Sequence, residues 1–300
     1  MTRLKILGIE REKCIKCEEC VSACSVQLFQ TNREENMEKY IQFTDPLRRC
    51  FRCGHCLSIC PTDAINYENA EPPYFFEEAK NPESIISHEN LMKLIRSRKS
   101  IRVYTDKAVE KEKIESILEA MRYSPSASNR QNREYIVITN KEKISELSKD
   151  IGSLLVRARR YLKLKYLIAP FVKGVLKRRI LSKRTKFALD NYFERTQKGD
   201  DLMLFNAPCV IIVHSPIYSR MSPSDAGLAV THGMFAALSL GLGTCWIGFA
   251  QEYFSRTKKA RKKWGIPPKH DVFGVFILGY SELEFLAGPS RRPLKINWIE

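Results

Sequence analysis

Eight of the ten cysteines lie within the first 60 residues, in two runs of the same spacing. The first run is Cys14-x2-Cys17-x2-Cys20-x3-Cys24, the second Cys50-x2-Cys53-x2-Cys56-x3-Cys60-Pro61. Thiolates this dense suit metal chemistry. Two-residue gaps let three sulfurs of one loop wrap a single small object, and a [4Fe–4S] cube needs four. Zinc and structural disulfides are the competing readings. Two such runs in tandem are far more specific than a single CxxC pair. In a reducing compartment, clustered cysteines serve as ligands rather than cross-links. The shared spacing implies a pseudo-twofold domain built from a duplicated half.

The cysteine segment resembles bacterial two-cluster ferredoxins over about residues 5–68. That resemblance implies two [4Fe–4S] clusters, with the fourth cysteine of each run ligating the other cluster. One set is then Cys14, Cys17, Cys20 and Cys60; the other is Cys50, Cys53, Cys56 and Cys24. The sequence departs from the pattern at Ser25, where proline is expected, and in the length of segment 25–49. Neither change removes a ligand. His55, inside the second run, reads as a loop residue beside the cluster.

Further along, Arg98-Lys99-Ser100-Ile101-Arg102 brings four side chains able to donate hydrogen bonds or positive charge. A phosphate monoester carries about −1.5 to −2 charges and is held best by arginine forks and a hydroxyl. A second basic group, Arg291-Arg292-Pro293, stands near the C-terminus. Either group alone reads as solvated surface. With Tyr123-Ser124-Pro125-Ser126-Ala127-Ser128-Asn129-Arg130-Gln131 and Gly241-Leu242-Gly243-Thr244-Cys245-Trp246-Ile247-Gly248 between them, they resemble the FMN-dependent nitroreductase family over about residues 88–300.

That resemblance implies a nitroreductase-like α/β sandwich, an intertwined homodimer, and FMN at the dimer interface. Arg98, Lys99, Ser100 and Arg102 would hold phosphate and ribityl oxygens. Pro125, Ser126, Ala127 and Ser128 would line the flavin from the partner subunit, with Asn129 and Gln131 close by. Cys245, Trp246, Ile247 and Gly248 would pass the ring edge, and Arg291 with Arg292 would return to the phosphate. Asn132 stands where many members have proline. No catalytic side chain is nominated, because the chemistry belongs to the cofactor. Cys209 and Cys245 read as buried apolar residues, Trp246 as core, and His232 as an interior histidine.

These groups need elements to place them. The expected fold class is α+β: a ferredoxin-like domain over 1–70, a linker over 71–87 containing Pro72 and Pro73, and an FMN-binding domain over 88–300. Leu91, Leu94 and Ile95 have helical spacing, as do Ile114, Ile117, Leu118 and Met121. Tyr135–Ile138, Cys209–Val213 and Val272–Leu278 read as buried strands. An apolar helix is expected from about Asp225 to Leu240, ending at Gly241 and Gly243.

The net charge of +16 is concentrated, since residues 151–200 hold 14 basic and 3 acidic side chains. Within 153–187, arginines and lysines interleave with apolar residues, and Pro170 is expected to break the segment into two helices. Its place resembles the family's variable lid over the flavin. A solvated lid, a docking face for an acidic electron carrier such as a ferredoxin, and contact with an anionic membrane surface are its three readings. Nucleic acid is not expected, since no recognition fold accompanies the charge. No targeting segment and no apolar stretch of spanning length is read, so the cytoplasm is the expected compartment.

Together these parts describe an iron–sulfur flavoprotein oxidoreductase passing electrons between a one-electron carrier, the clusters and FMN. A small nitroaromatic, quinone or enone is the expected substrate. An electron-transfer protein serving a protein partner and an NAD(P)H-fed nitroreductase are the alternatives.

Overall fold

The computed structural model describes residues 3–34, 38–163, 169–171, 173–218 and 220–300. The chain divides into two compact units, Met1–His88 with Ser126–Arg130, and Glu89–Pro125 with Gln131–Glu300.

In the first unit, β1 (Lys5–Ile9) pairs antiparallel with β4 (Ile65–Glu68), and β2 (Phe29–Arg33) with β3 (Lys39–Phe43). Two short helices, α1 (Glu19–Ala23) and α2 (His55–Ile59), follow the second cysteine of each run. The sequence repeat is a backbone repeat. Lys16 and Arg52, Glu18 and Gly54, and Gln27 and Asp63 occupy equivalent places, and all six have positive φ. Left-handed turns at these places fold each run back on itself. Glycine does this at no cost, whereas a side chain costs about 1–2 kcal/mol. At Glu18 the cost is offset by Thr31 Oγ1, which donates to Glu18 Oε1 at 2.6 Å, and by Lys39 Nζ at 2.9 Å from the same oxygen. The long connection between the runs is the β2–β3 hairpin, whose Phe29 and Phe43 rings stand 5.0 Å apart. Ile6, Phe29, Ile41, Leu57, Ala64 and Ile65 form a small core that also takes in Cys20, Cys56 and Cys60.

The second unit is a four-stranded sheet with helices around it. Its strands are β5 (Glu134–Ile138), β6 (Cys209–Pro216), β7 (Gly243–Trp246) and β8 (His270–Gly279), in the order β5-β6-β8-β7, all antiparallel. β6 is buried from Cys209 to Ser215. Val210 and Ile212 pack with Leu147, Ile151 and Ile277 on one face. Cys209, Ile211 and Val213 pack with Ile117, Met121 and Val230 on the other. Cover on both faces explains the unbroken apolar run of this strand.

The helices are α3 (His88–Ser97), α4 (Lys111–Arg122), α5 (Lys141–Lys163), α6 (Gly174–Leu181), α7 (Lys183–Gln197), α8 (Ser222–Ser239), α9 (Gly248–Arg256) and α10 (Lys258–Lys263). α8 lies against α4 so closely that a Cβ at Gly233 would stand 2.7 Å from Met121 Cγ. It begins three residues before the expected Asp225 and ends on Gly241, whose φ of 77° lets Leu242 N–H reach Ala237 O at 2.8 Å.

Three expectations need correction. Gly243 does not belong to the helix end: it opens β7, and a Cβ there would meet Ile101 Cγ1 at 2.6 Å. The basic segment breaks at Pro170 as expected, but its described residues fall in three helices rather than two. α5 runs 23 residues from Lys141 through Lys163, a 3-10 turn spans Ala169–Phe171, and α6 and α7 follow. The period-3.6 pattern extends upstream of the charge, so helix and basic segment do not share a boundary. Leu164, Lys165, Tyr166, Leu167, Ile168 and Val172 lie outside the described residues. Among the described residues, no helix is long and apolar enough to cross a membrane. His232 is half-buried rather than interior, because α8 turns that side away from the sheet.

Candidate functional site

The cysteines gather in crossed sets. Cys14, Cys17, Cys20 and Cys60 line one small cavity with Ile9, Ile41 and Ile65. Cys60 thus stands with the first run, although it closes the second. Electrostatics reports the other set. Burial pushes the Cys56 thiol up to about 12, and Cys53, Cys50 and Cys24 add to the effect. Burial also raises Cys50, with Cys53 and Cys24 again contributing. In the first set, burial pushes Cys20 up to about 11, with Cys14 and Cys17 adding.

Backbone amides point at the sulfurs in matching places. Leu28 N–H donates to Cys24 Sγ at 3.3 Å and Ala64 N–H to Cys60 Sγ at 3.2 Å, each four residues on. Arg52 N–H donates to Cys50 Sγ at 3.3 Å. Cys17 and Cys53 are exposed, while Cys20, Cys56 and Cys60 are buried. Burial favours the protonated thiol at Cys20, Cys50 and Cys56. A cationic cluster reverses that by holding them as thiolates. The donor set therefore fits iron–sulfur ligation: eight sulfurs, two foursomes, amides aimed at them and apolar walls.

In the second unit, residues 98–102 run beside β7. Ser100 bridges Thr244, and Ile101 N–H donates to Thr244 O at 2.9 Å. Ile101 is buried beneath Gly243, and Tyr104 Oη donates to Ile101 O at 2.7 Å. Neighbouring residues therefore reach different cavities. Arg98 and Lys99 border one of about 370 Å³, shared with Gly241–Thr244, Leu283 and Phe285–Gly288. Arg102 borders a larger one of about 1800 Å³, whose lining includes Cys245–Phe249. Lys99 Nζ donates to Ser97 O at 3.1 Å and sits 4.6 Å from the Phe285 ring centroid. Gly243→Ala is expected to push Ile101 off β7, destabilising the second unit by about 1–3 kcal/mol; urea unfolding of the variant measures it.

The larger cavity joins the basic segment to β7. Leu154, Arg157 and Leu162 of α5, Arg178 of α6 and Arg184, Leu189 and Tyr192 of α7 line it, with Leu202, Met203 and Phe205. Cys245 and Ile247 are buried and Trp246 half-buried, its Nε1–H donating to Gln251 Oε1 at 3.2 Å. Cys209 is fully buried, and burial raises its thiol to about 12.

The Pro125–Gln131 segment is held at its ends. Buried Arg133 donates from Nη2 to Ser124 O at 2.9 Å and from Nη1 to Pro125 O at 3.1 Å. Between them, Ser128, Asn129 and Gln131 have positive φ, and Asn129 Nδ2 donates to Arg52 O at 2.6 Å within the first unit. Sequence reading passed over Arg133, since one arginine among many carries no signal until its carbonyl partners are known. Arg133→Ala is expected to cost about 3 kcal/mol, since two charge-assisted bonds go and two carbonyls lose their partner. Chemical denaturation against wild type reads this directly.

Arg291 and Arg292 are exposed, and Arg291 Nη1 donates only to its neighbours' carbonyls, Pro289 O and Ser290 O. Among the described residues of one chain, neither arginine is hydrogen-bonded to residues 98–102.

Residues 95–280 match the family model described as "Nitroreductase family", and residues 13–64 match "4Fe-4S dicluster domain". A protein of Archaeoglobus fulgidus, provisionally named NADH dehydrogenase/NAD(P)H nitroreductase, is 29% identical over 202 residues, covering 65% of this chain and 88% of its own. The NAD(P)H-quinone oxidoreductase subunit I of Gloeobacter violaceus is 33% identical over 64 residues, 20% of this chain and 31% of that protein. A solved nitroreductase with bound FMN from Desulfitobacterium hafniense has the same fold, with a TM-score of 0.53 at 22% identity, covering 72% of this chain and 100% of that one.

Proposed function

The chain belongs to the nitroreductase family and carries a 4Fe-4S dicluster domain ahead of that fold, and from that premise we propose that it is an iron–sulfur flavoprotein oxidoreductase holding two [4Fe–4S] clusters and FMN. It relays electrons from a one-electron carrier to a small organic acceptor of the nitroaromatic, quinone or enone type. When bound, the clusters exchange single electrons and FMN exchanges them singly or in pairs, so together they link one- and two-electron chemistry. The observation that carries the reading is the crossed gathering of eight cysteines in a chain whose other unit opens a large cavity along Cys245–Gly248.

The chain's own residues divide the work. Cys14, Cys17, Cys20 and Cys60 hold one cluster, and Cys50, Cys53, Cys56 and Cys24 the other. Arg98, Lys99, Ser100 and Arg102 hold phosphate and ribityl oxygens of FMN. The Cys245–Gly248 stretch would pass its ring edge, where backbone N–H groups not already spent in the sheet, as Ile247 N–H is on Val275 O at 2.8 Å, would stabilise added negative charge. Pro125–Ser128, Asn129 and Gln131 close the site from a second subunit, and Arg291 and Arg292 return to the phosphate. Exposed apolar side chains at Leu91, Ile95, Leu294 and Trp298 support a homodimer that covers them.

Leu154, Leu202, Met203 and Phe249 keep water from the acceptor, and Tyr192 and Phe205 offer faces to a flat ring. Arg157, Arg178 and Arg184 around the same cavity favour an acceptor with nitro, carbonyl or anionic oxygens. The basic helices outside it suit an acidic electron carrier; contact with an anionic membrane surface is the lesser reading.

A second reading, direct feeding by NAD(P)H, is favoured by the name of the Archaeoglobus relative. The test is anaerobic. Flavin absorbance is followed in cofactor-loaded protein as NADH, NADPH or reduced ferredoxin is added. Rapid bleaching by ferredoxin alone is expected. Rapid bleaching by a nicotinamide would put the entry point at the flavin and leave the clusters receiving electrons.

A further inference from the structure

Away from the cavities and the cysteines, three strands bring together side chains that neither cofactor uses. Glu134 on β5, His214 on β6 and His270 on β8 place one ligand atom each within 4.8 Å of the others. The two imidazoles face each other through Nδ1, 2.9 Å apart. His214 is 3% exposed, while Glu134 and His270 are half-buried and reach solvent.

The sheet register builds this cluster. Glu134 lies directly opposite His214 on β5, so the two share a face. On the other side, β6 and β8 pair residue for residue from Cys209 to Val213, and then the register slips by one at Phe273. Without that slip His214 would oppose Phe273, and Asp271 would be its diagonal neighbour on the same face. With it, His214 opposes Val272, and the diagonal neighbour is His270. Asp271 instead turns to Arg261, 3.2 Å away. A bulge that exchanges one side chain for another on a given face is a device for aiming a group.

We infer that Glu134, His214 and His270 form a binding site for a divalent transition-metal ion, distinct from the cysteine sites, that ties together β5, β6 and β8 at one end of the sheet. Two imidazoles and one carboxylate are ligands that zinc and its neighbours accept. With metal–nitrogen bonds of about 2.0–2.1 Å, two nitrogens bound at right angles stand about 2.9 Å apart, the separation the imidazoles already have. Tetrahedral binding needs them about 3.3 Å apart, a small rotation. Empty, one Nδ1–H donates to the facing Nδ1; with a metal bound, both Nδ1 atoms would be ligands and each ring would carry its proton on Nε2. Three protein ligands leave coordination positions open on the side of the half-buried residues, where water or a small anion completes the shell.

The test uses the holoprotein under anaerobic conditions, with the cysteines occupied and Zn²⁺ as the probe. Free Zn²⁺ is set with a metal buffer, bound zinc is counted per chain, and iron is counted in the same samples. Wild type is expected to take up one Zn²⁺ per chain at micromolar or lower free metal, with iron unchanged and the thermal midpoint raised. His270→Ala and Glu134→Gln change half-buried residues and so spare the core; each is expected to weaken uptake by at least about tenfold. Uptake that survives both changes undiminished, uptake matched by loss of iron, or no uptake by folded wild type up to about 100 µM free metal would each overturn the assignment. Because the readout is zinc rather than turnover, failure of the flavin reading would leave this result intact.

Discussion

Replacing Cys14 and Cys60 together by serine is expected to remove about half of the iron and sulfide, whereas replacing Cys14 and Cys24 together removes nearly all of it. The expectation inverts what chain order suggests, since Cys14 and Cys24 share a run and Cys14 and Cys60 do not. It follows from the crossed sets. Cys60 lines the same small cavity as Cys14, Cys17 and Cys20, while Cys24 acts on Cys50 and Cys56. A cube missing one of four thiolates is lost or degraded; missing two from the same set does no further harm. Iron and acid-labile sulfide per folded chain, from anaerobically prepared protein, give the answer. Equal losses in the two double variants, or the larger loss in Cys14→Ser/Cys60→Ser, would falsify the crossed arrangement.

The second large effect separates the cofactors. Arg98→Ala and Arg102→Ala are each expected to weaken FMN by about 10- to 150-fold, since a hydrogen bond to a charged group is worth about 1.5–3 kcal/mol. Iron content should stay at the wild-type level. The two arginines border different cavities on either side of the Ser100–Thr244 bridge, so the comparison also tells which side carries the phosphate. The variant with the greater loss marks that side. Fluorescence titration of flavin-stripped protein gives the affinities. A folded variant that loses iron and flavin together would contradict the assignment of each cofactor to its own residues.

Much of this was legible in the sequence because it rests on local spacing. The cysteine runs fix their turns within a few residues, and the apolar runs at 135–138, 209–213 and 272–278 fall within β5, β6 and β8. What escaped depends on contacts between distant segments. Gly241 and Gly243 look alike as helix stops, yet only Gly241 ends the helix; the other admits Ile101, 142 positions earlier. Arg133 shows its role only through the carbonyls of Ser124 and Pro125. The pairing of His214 with His270 depends on a one-residue register slip, which no pattern of apolar residues displays. The basic segment misled in another way: its charge marks where solvent lies, whereas helix length follows the apolar face beneath, and α5 begins at Lys141.

The central strand β6 has a consequence for measurement. Its amides are paired to β5 on one side and β8 on the other, and the strand is buried from Cys209 to Ser215. Small local openings do not free such protons, so their exchange for deuterium waits for unfolding of the whole unit. The exchange rate of the Val210–Val213 amides is therefore an internal stability gauge for the second unit, readable whether or not any cofactor absorbs light.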